Sequence, residues 1–173
     1  FILDTNTTNL AAAKITGADA SARYTYPTSF GSIDASFSGT WNIKTDFQIL
    51  PGAAFATQLD DSSRFRATFG LGATIGEFRA QASLQHRAGY TLTQPQPASR
   101  DPGQLGIDQF DILNMSFRYN VNGNRPLLQD LTLTLNINNV LDTNPPVSRT
   151  NSGSTANGNT DGRIFQFGIN KRF

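Results

Sequence analysis

The 173-residue chain has no cysteine and only one histidine, one methionine and one tryptophan. The absence of cysteine excludes disulfide scaffolds, thiolate zinc sites and cysteine nucleophiles. No apolar run approaches the ~18 residues that a membrane helix needs, so any crossing of a membrane must use strands. The first residues, Phe1 to Asp4, lack the basic and apolar regions of a signal peptide. We therefore expect an exported form of the chain to be mature, or cut from something longer.

Charge of either sign is also scarce. The chain has 14 Lys+Arg against 13 Asp+Glu, for a net charge of +1, and the basic residues are scattered along it. A nucleic-acid-binding surface needs basic residues clustered on one face. We expect no nucleic-acid partner, no metal site and no cofactor.

The most informative segment is residues 33 to 47, where apolar and polar side chains alternate with a single interruption at Thr45. One parity carries Ile33, Ala35, Phe37, Gly39, Trp41, Ile43 and Phe47. Successive side chains of a strand point to opposite faces, so the segment is one long strand with an apolar and a polar face. Soluble strands have ~5 to 6 residues, and ~9 to 11 tilted residues cross a bilayer. The pattern is typical of an outer-membrane β-barrel.

The same alternation predicts seven strands and no helix. The strands are predicted at residues 11–26, 33–47, 64–75, 77–91, 109–121, 129–141 and 162–173, with a bulge at Gly17. The connections alternate between short (27–31, 75–77, 122–128) and long (48–63, 92–108, 142–161). Outer-membrane barrels have short periplasmic turns and long extracellular loops, so the last strand is expected to run inward.

The predicted ends also sort the outward aromatic residues into two interfacial girdles. The outer rim would hold Trp41, Phe47, Phe65 and Tyr90, and the inner rim Tyr24, Tyr26, Phe78, Tyr119 and Phe173. Seven strands cannot close a bacterial barrel, because single-chain barrels have even strand numbers and an open edge in lipid is costly. We therefore expect an all-β, up-and-down antiparallel transmembrane barrel, of which residues 1–173 are the C-terminal part.

Motifs near the end of the chain support a family resemblance. The segment Leu131 to Asp142 ends in Asn-Val-Leu-Asp, Pro145-Pro146 and a polar loop follow, and Asp161 to Phe173 begins with Asp-Gly-Arg and ends in Phe. These segments resemble the last two strands of TonB-dependent outer-membrane receptors. Ile15 to Asp19 and Phe110 to Asn114 resemble earlier strands of the same family. The resemblance covers nearly the whole chain and is best over 129–173.

The resemblance implies a 22-stranded barrel plugged by an N-terminal domain that this chain does not contain. It implies an outer-membrane receptor of a Gram-negative bacterium that imports a scarce, bulky nutrient such as a ferric siderophore, and no enzymatic activity. The implied partners are outer-membrane lipid, the plug and remaining strands of the same receptor, the TonB complex, and an extracellular nutrient. The apolar parity of the last strand would act as the barrel assembly signal, with Phe165, Phe167, Ile169 and Phe173.

Basic side chains are frequent on the inward parity of the predicted barrel. They are Arg23, Lys44, Arg64, Arg66, Arg79, Arg87 and Arg118, against Asp34 and Asp46. Such a positive lumen would attract an anionic substrate, although the arginines could equally brace the wall or a plug. The candidate ligand-binding residues, at the outer rim and in the last loop, are Arg64, Arg66, Arg149, Asn151, Asp161 and Arg163.

The single histidine, His86, shares the lipid-side parity of Leu84 and Ala88, where catalysis is not expected. A plug-free, porin-like channel remains an alternative, because lumen arginines also suit an anion-selective pore. A soluble β-sandwich binding module is a third possibility. It requires Phe37, Trp41 and Phe69 to be buried against a second sheet.

Overall fold

The computed structural model describes residues 12–48, 50–57, 62–92, 104–121, 129–147 and 160–172. Within these ranges the chain forms ten strands, seven of them long. They are β1 (Ala12–Thr28), β2 (Gly31–Gln48), β3 (Ala56–Thr57), β4 (Phe65–Ile75), β5 (Phe78–Arg87), β6 (Tyr90–Thr91), β7 (Gly106–Ile107), β8 (Phe110–Val121), β9 (Leu131–Asn138) and β10 (Ile164–Lys171). None of the described residues lies in a helix long and apolar enough to cross a membrane.

The seven long strands form one antiparallel sheet in the order β1-β2-β4-β5-β8-β9-β10, so each lies beside its neighbour in sequence. This confirms the predicted all-β, up-and-down arrangement, and the sheet is not closed into a barrel. Two tight turns, at 29–30 and 76–77, join β1 to β2 and β4 to β5 at one end of the sheet. We call this the short-turn end, and the opposite end the long-loop end.

The predicted irregularity at Gly17 is present, but the extra residue belongs to the neighbouring strand. Thr16 is opposite Lys44 and Gly17 is opposite Asn42, which leaves Ile43 without a partner on β1. A one-residue bulge shifts the alternation of one strand against the other. Beyond the bulge, the predicted shared face of Trp41, Ile43 and Phe47 therefore does not hold.

Two predicted strands were too long at the long-loop end. The predicted strand 77–91 is divided into β5 and β6. The last backbone hydrogen bond to β4 runs from the Ala88 N–H to the Phe65 carbonyl oxygen (2.9 Å). Gly89 then lies against the Ile107 carbonyl, where a Cβ would be 2.6 Å from the oxygen. Tyr90 consequently pairs with Ile107 in the β6–β7 hairpin and is not in the outer girdle. The segment 129–141 ends at Asn138, because Asn139 has a positive φ of 52°.

The described residues contain almost no core of the globular kind. The buried hydrophobic residues among them are Ala67, Ile107 and Phe110. Trp41 is 57% exposed and Phe69 is 45% exposed, so no second sheet formed by the described residues covers their face. The soluble β-sandwich, which requires that face to be buried, is not supported.

Candidate functional site

The register divides the sheet into an apolar face and a polar face. One row crosses all seven strands through Tyr24, Ala35, Leu71, Ala82, Met115, Ile137 and Phe165. The adjacent row lies one residue nearer the short-turn end on each strand. It consists of Thr25, Asp34, Gly72, Gln81, Ser116, Asn136 and Gln166. Neighbouring rows project to opposite faces, so one face is uniformly apolar here and the other is uniformly polar or glycine. We call these the apolar face and the polar face.

The apolar face carries most of the predicted outward residues, including the described residues of the predicted assembly signal. Phe165, Phe167 and Ile169 are 55%, 80% and 77% exposed on β10, whereas Phe173 lies outside the described residues. Leu133 on this face pairs with Tyr119 and Ile169, in the second apolar-face row from the short-turn end of β9.

On the polar face, an ion pair spans an intervening strand. Arg79 Nη1 and Nη2 on β5 donate to Asp34 Oδ1 (2.8 Å) and Oδ2 (3.1 Å) on β2, and Nη1 also donates to Thr74 Oγ1 (2.9 Å). Gly72 on β4 lies between the two strands, and a Cβ on it would come within 2.6 Å of Asp34 Oδ2. Gly72 therefore leaves the space through which the carboxylate reaches the guanidinium group.

The polar face carries arginines at both of its ends. At the short-turn end, Arg79 is directly opposite Arg118. At the long-loop end, Arg66 is directly opposite Arg87. The sequence predicted that all four arginines face inward. It could not predict that they lie directly opposite each other in pairs, because alternation does not give the register between strands.

The candidate ligand-binding residues occupy two separate places at the long-loop end. Arg66 lies on β4 and Arg64 is the residue before that strand, whereas Asp161 and Arg163 lie in the three residues before β10. Strands β5, β8 and β9 separate the two groups, which places them roughly 19 Å apart at ~4.8 Å per strand. Arg149 and Asn151 lie outside the described residues. The structure therefore does not bring the predicted set together as one cluster.

The turn after β9 organises the base of the last loop. The Asn139 side chain donates to the Thr143 carbonyl (3.0 Å) and accepts from the Thr143 N–H (2.9 Å), and the Asn139 N–H donates to Asn114 Oδ1 (2.9 Å). Asp142 Oδ1 accepts the backbone N–H of Arg163 (2.8 Å). The Asn-Val-Leu-Asp motif thus joins the two ends of the loop that leads into β10. Sequence reasoning had identified the motif but not this role.

His86 lies on the apolar face, as its parity predicted, and has a partner that the sequence did not reveal. Its Nδ1 is 2.6 Å from Asp111 Oδ1, and its ring centroid is 5.8 Å from that of Phe65. A carboxylate beside Nδ1 orients the histidine in hydrolase triads, but a nucleophile is needed as well. The His86 row continues through Ala67, Gly39 and Ala20, which supply no hydroxyl. Within the described ranges there is also no group of three or more histidine and acidic side chains that could hold a metal.

A comparison with protein families accounts for this arrangement. A family model described as "TonB dependent receptor-like, beta-barrel" matches residues 2–140. The chain belongs to this family. Membership implies a barrel domain of the Gram-negative outer membrane and a role in transport as part of a larger receptor, in a transporter family rather than an enzyme family. No curated protein and no solved structure gives a significant match.

The family match and the motif resemblance emphasise different parts of the TonB-dependent receptor barrel. The match ends at residue 140, so it includes six of the seven long strands and stops short of β10. The resemblance noted from the motifs was best over 129–173. The assignment of the chain to the family therefore depends mainly on the strands before the last loop.

Proposed function

We propose that this chain is the C-terminal barrel portion of an outer-membrane receptor that actively imports a scarce, bulky nutrient such as a ferric siderophore. Together with the plug and the remaining strands of the same receptor, it would form the transport path, and the TonB complex would supply energy through the other parts of that receptor. The long-loop end would face the outside of the cell, and the short-turn end the periplasm.

The observation that supports this proposal is the separation of the two faces. In one row across the sheet, all seven strands contribute an apolar residue. In the next row, all seven contribute a polar residue or a glycine. A sheet in lipid must present apolar side chains outward, while a lumen that admits a nutrient or a plug must offer hydrogen-bonding groups. The polar face supplies hydroxyl, amide and guanidinium groups between the bulge at Ile43 and the short-turn end.

We assign first contact with the nutrient to the long-loop end. Arg64 and Arg66 would attract an anionic substrate. Asp161 would contact it from another part of the wall, together with Arg163, whose backbone N–H donates to Asp142 at the base of the last loop. Arg149 and Asn151 in the last loop complete the proposed set. These side chains come from separated strands, which suits a bulky ligand better than a small one.

Neutralising Arg64 and Arg66 tests this assignment. In the full receptor, Arg64→Gln with Arg66→Gln should slow uptake of an anionic substrate more at ~0.01 M than at ~0.1 M salt, because the Debye length falls from ~30 to ~10 Å. Arg118→Gln, which removes one positive charge at the opposite end of the same face, serves as the control. Unchanged uptake at low ionic strength would mean that Arg64 and Arg66 only brace the wall.

Dependence on the TonB complex separates this proposal from a plug-free, porin-like channel. Uptake by an active receptor should be abolished when TonB is deleted, whereas a passive pore would continue to conduct. Proteomic induction of the receptor under iron limitation, compared with growth on complex sugars, would then distinguish siderophore from carbohydrate import. Uptake that persists without TonB would contradict active import.

A further inference from the structure

The bulge at Ile43 changes which side chains of β2 share the apolar face. β1 has no extra residue, so its even-numbered side chains project to the apolar face on both sides of the bulge. Residues directly opposite each other share a face, and Thr16 is opposite Lys44 while Lys14 is opposite Asp46. The alternation predicted Lys44 and Asp46 on the inward side, which was wrong because of the extra residue. Both lie on the same side of the sheet as the apolar face.

Lys14, Lys44 and Asp46 form a charged patch at the long-loop end, which we call the lysine patch. Lys44 Nζ is 2.9 Å from Asp46 Oδ2, and Lys14 Nζ lies over the Phe55 ring, 4.1 Å from its centroid. Both lysines are exposed, whereas Asp46 is buried. The patch therefore carries one net positive charge, and its ammonium groups are more accessible than its carboxylate.

The length of β1 places this patch at the edge of the apolar band. Tyr26 is exposed on the apolar face near the short-turn end, and Thr16 is ten residues away on the same strand. Ten residues span about 34 Å along a strand, which a tilt of ~40° reduces to ~25 Å, the height of the apolar band of outer-membrane barrels. Trp41, opposite Ala18, lies in the outward row just before the patch. Aromatic and basic side chains meet in this way at a membrane–water interface.

We propose that the lysine patch binds the anionic phosphate headgroup of a lipid in the outer leaflet of the outer membrane. Ammonium groups donate charge-assisted hydrogen bonds to phosphate oxygens, and basic groups at a membrane surface attract anionic lipids. The acyl chains would lie along the apolar face beside Trp41, while the phosphate would contact Lys14 and Lys44. A dissolved phosphate or an acidic protein would use the charges alone and leave the adjoining apolar surface uncovered.

This inference goes beyond the proposed function. It depends only on the proposed placement of the sheet, in which the apolar face meets lipid and the long-loop end faces outward. It does not depend on what the receptor imports.

A fluorescent label beside the patch can report which lipid lies there. Ala18 is exposed in the row next to Thr16, about 7 Å along β1, and this chain contributes no cysteine. The full receptor, with any cysteine elsewhere replaced by serine, carries Ala18→Cys labelled with dansyl and is reconstituted in phosphatidylcholine vesicles. Phosphatidic acid or phosphatidylcholine with a nitroxide near the top of one acyl chain is then added at equal mole fractions. The quenching of the label gives the relative occupancy of the two lipids.

Phosphatidic acid should be preferred about fivefold at ~0.01 M salt and less at ~0.1 M, because salt screens the attraction. Lys14→Gln should lower the preference without removing the Lys44–Asp46 contact, and Lys14→Gln with Lys44→Gln should bring it near one. Asp46→Asn should raise the preference, since it removes the negative charge of the patch. Lys171→Gln is the matched control, because Lys171 lies on the same face near the short-turn end, and it should have no effect.

Several outcomes would overturn the phosphate site. They are equal quenching by the two lipids in the unsubstituted background, a preference unchanged by Lys14→Gln, and an equal loss with Lys171→Gln, which would reflect the overall charge of the receptor. Lys14→Gln decides the question alone if the double variant does not fold, as judged by heat-modifiable mobility. Absence of quenching by either lipid would overturn the site together with the proposed placement of the apolar face. None of these readouts depends on TonB or on a nutrient, so failure of active import is recognised independently.

Discussion

Replacing Gly72 by alanine tests how the wall holds the Asp34–Arg79 ion pair. The new Cβ would lie 2.6 Å from Asp34 Oδ2 and 2.8 Å from Oδ1, so the carboxylate must move and lose its contacts with Arg79. The side chains of Arg79 and Asp34 are 32% and 18% exposed. Hydrogen bonds to charged groups contribute ~1.5 to 3 kcal/mol and exposed ion pairs ~0.2 to 1, so a partly exposed pair should be worth about 1 to 2 kcal/mol.

A double-mutant cycle isolates this effect. In an Asp34→Ala background there is no carboxylate to displace, and Gly72→Ala should be neutral or stabilising, because glycine inside a strand costs roughly 0.5 to 1 kcal/mol relative to alanine. Gly70→Ala is the matched control, since the one atom too close to its Cβ would be the Ser36 hydroxyl, which can rotate away. The expected coupling between positions 34 and 72 is about 1 to 2 kcal/mol.

The assay is denaturant unfolding of the full receptor in detergent, followed by heat-modifiable mobility. If Gly72→Ala lowers the free energy of unfolding equally with Asp34 present or absent, the glycine does not act through the ion pair. If Gly70→Ala is as destabilising as Gly72→Ala, the effect belongs to any glycine on this face of β4. Either result would refute the reasoning.

Three further predictions concern the membrane, assembly and the last loop. Leu71→Arg, near the middle of β4 on the apolar face, should cost ~2 to 4 kcal/mol of barrel stability, whereas Gln81→Arg on the polar face should cost much less; equal losses of folded receptor in vesicles would contradict the two faces. Deletion of Phe173 should reduce the folded, heat-modifiable barrel in outer membranes, and a normal yield with lost substrate binding would oppose an assembly role. Asp142→Ala removes the acceptor of the Arg163 N–H and should speed proteolytic cleavage of the last loop in folded receptor, while unchanged cleavage would show that this contact does not hold the loop.

Much of the sheet could be predicted because each long strand carries its own signal. The alternation of Ile33 to Trp41 gives the two faces of β2, and the tight turn at 76–77 fixes β5 against β4. The consecutive antiparallel order then follows from short turns and long loops. Alternation predicts the wrong face after an extra residue. The face of Phe47, beyond the bulge at Ile43, was therefore predicted incorrectly.

Contacts between strands were harder to predict, because alternation gives a face and not a register. Asp34 and Arg79 are 45 residues apart in sequence, and their meeting depends on the lack of a side chain at Gly72. His86 and Asp111 are joined by a long connection whose length leaves the β5–β8 register open. Those pairings also place Arg66 opposite Arg87 and Arg79 opposite Arg118.

A spin-label scan of β4 in the full receptor tests the central claim, that one face of this sheet meets lipid and the other lines the lumen. Single cysteines from Arg66 to Thr74, reconstituted in a bilayer, are labelled and probed with oxygen, which concentrates in lipid, and with a water-soluble nickel complex. The account predicts a period of two residues, with oxygen access highest at positions 67, 69, 71 and 73 and access to the nickel complex, where the lumen is open to water, confined to the alternate positions. The account would be contradicted if oxygen and the nickel complex reached the same positions best, or if oxygen access were highest at Arg66, Thr68 and Thr74.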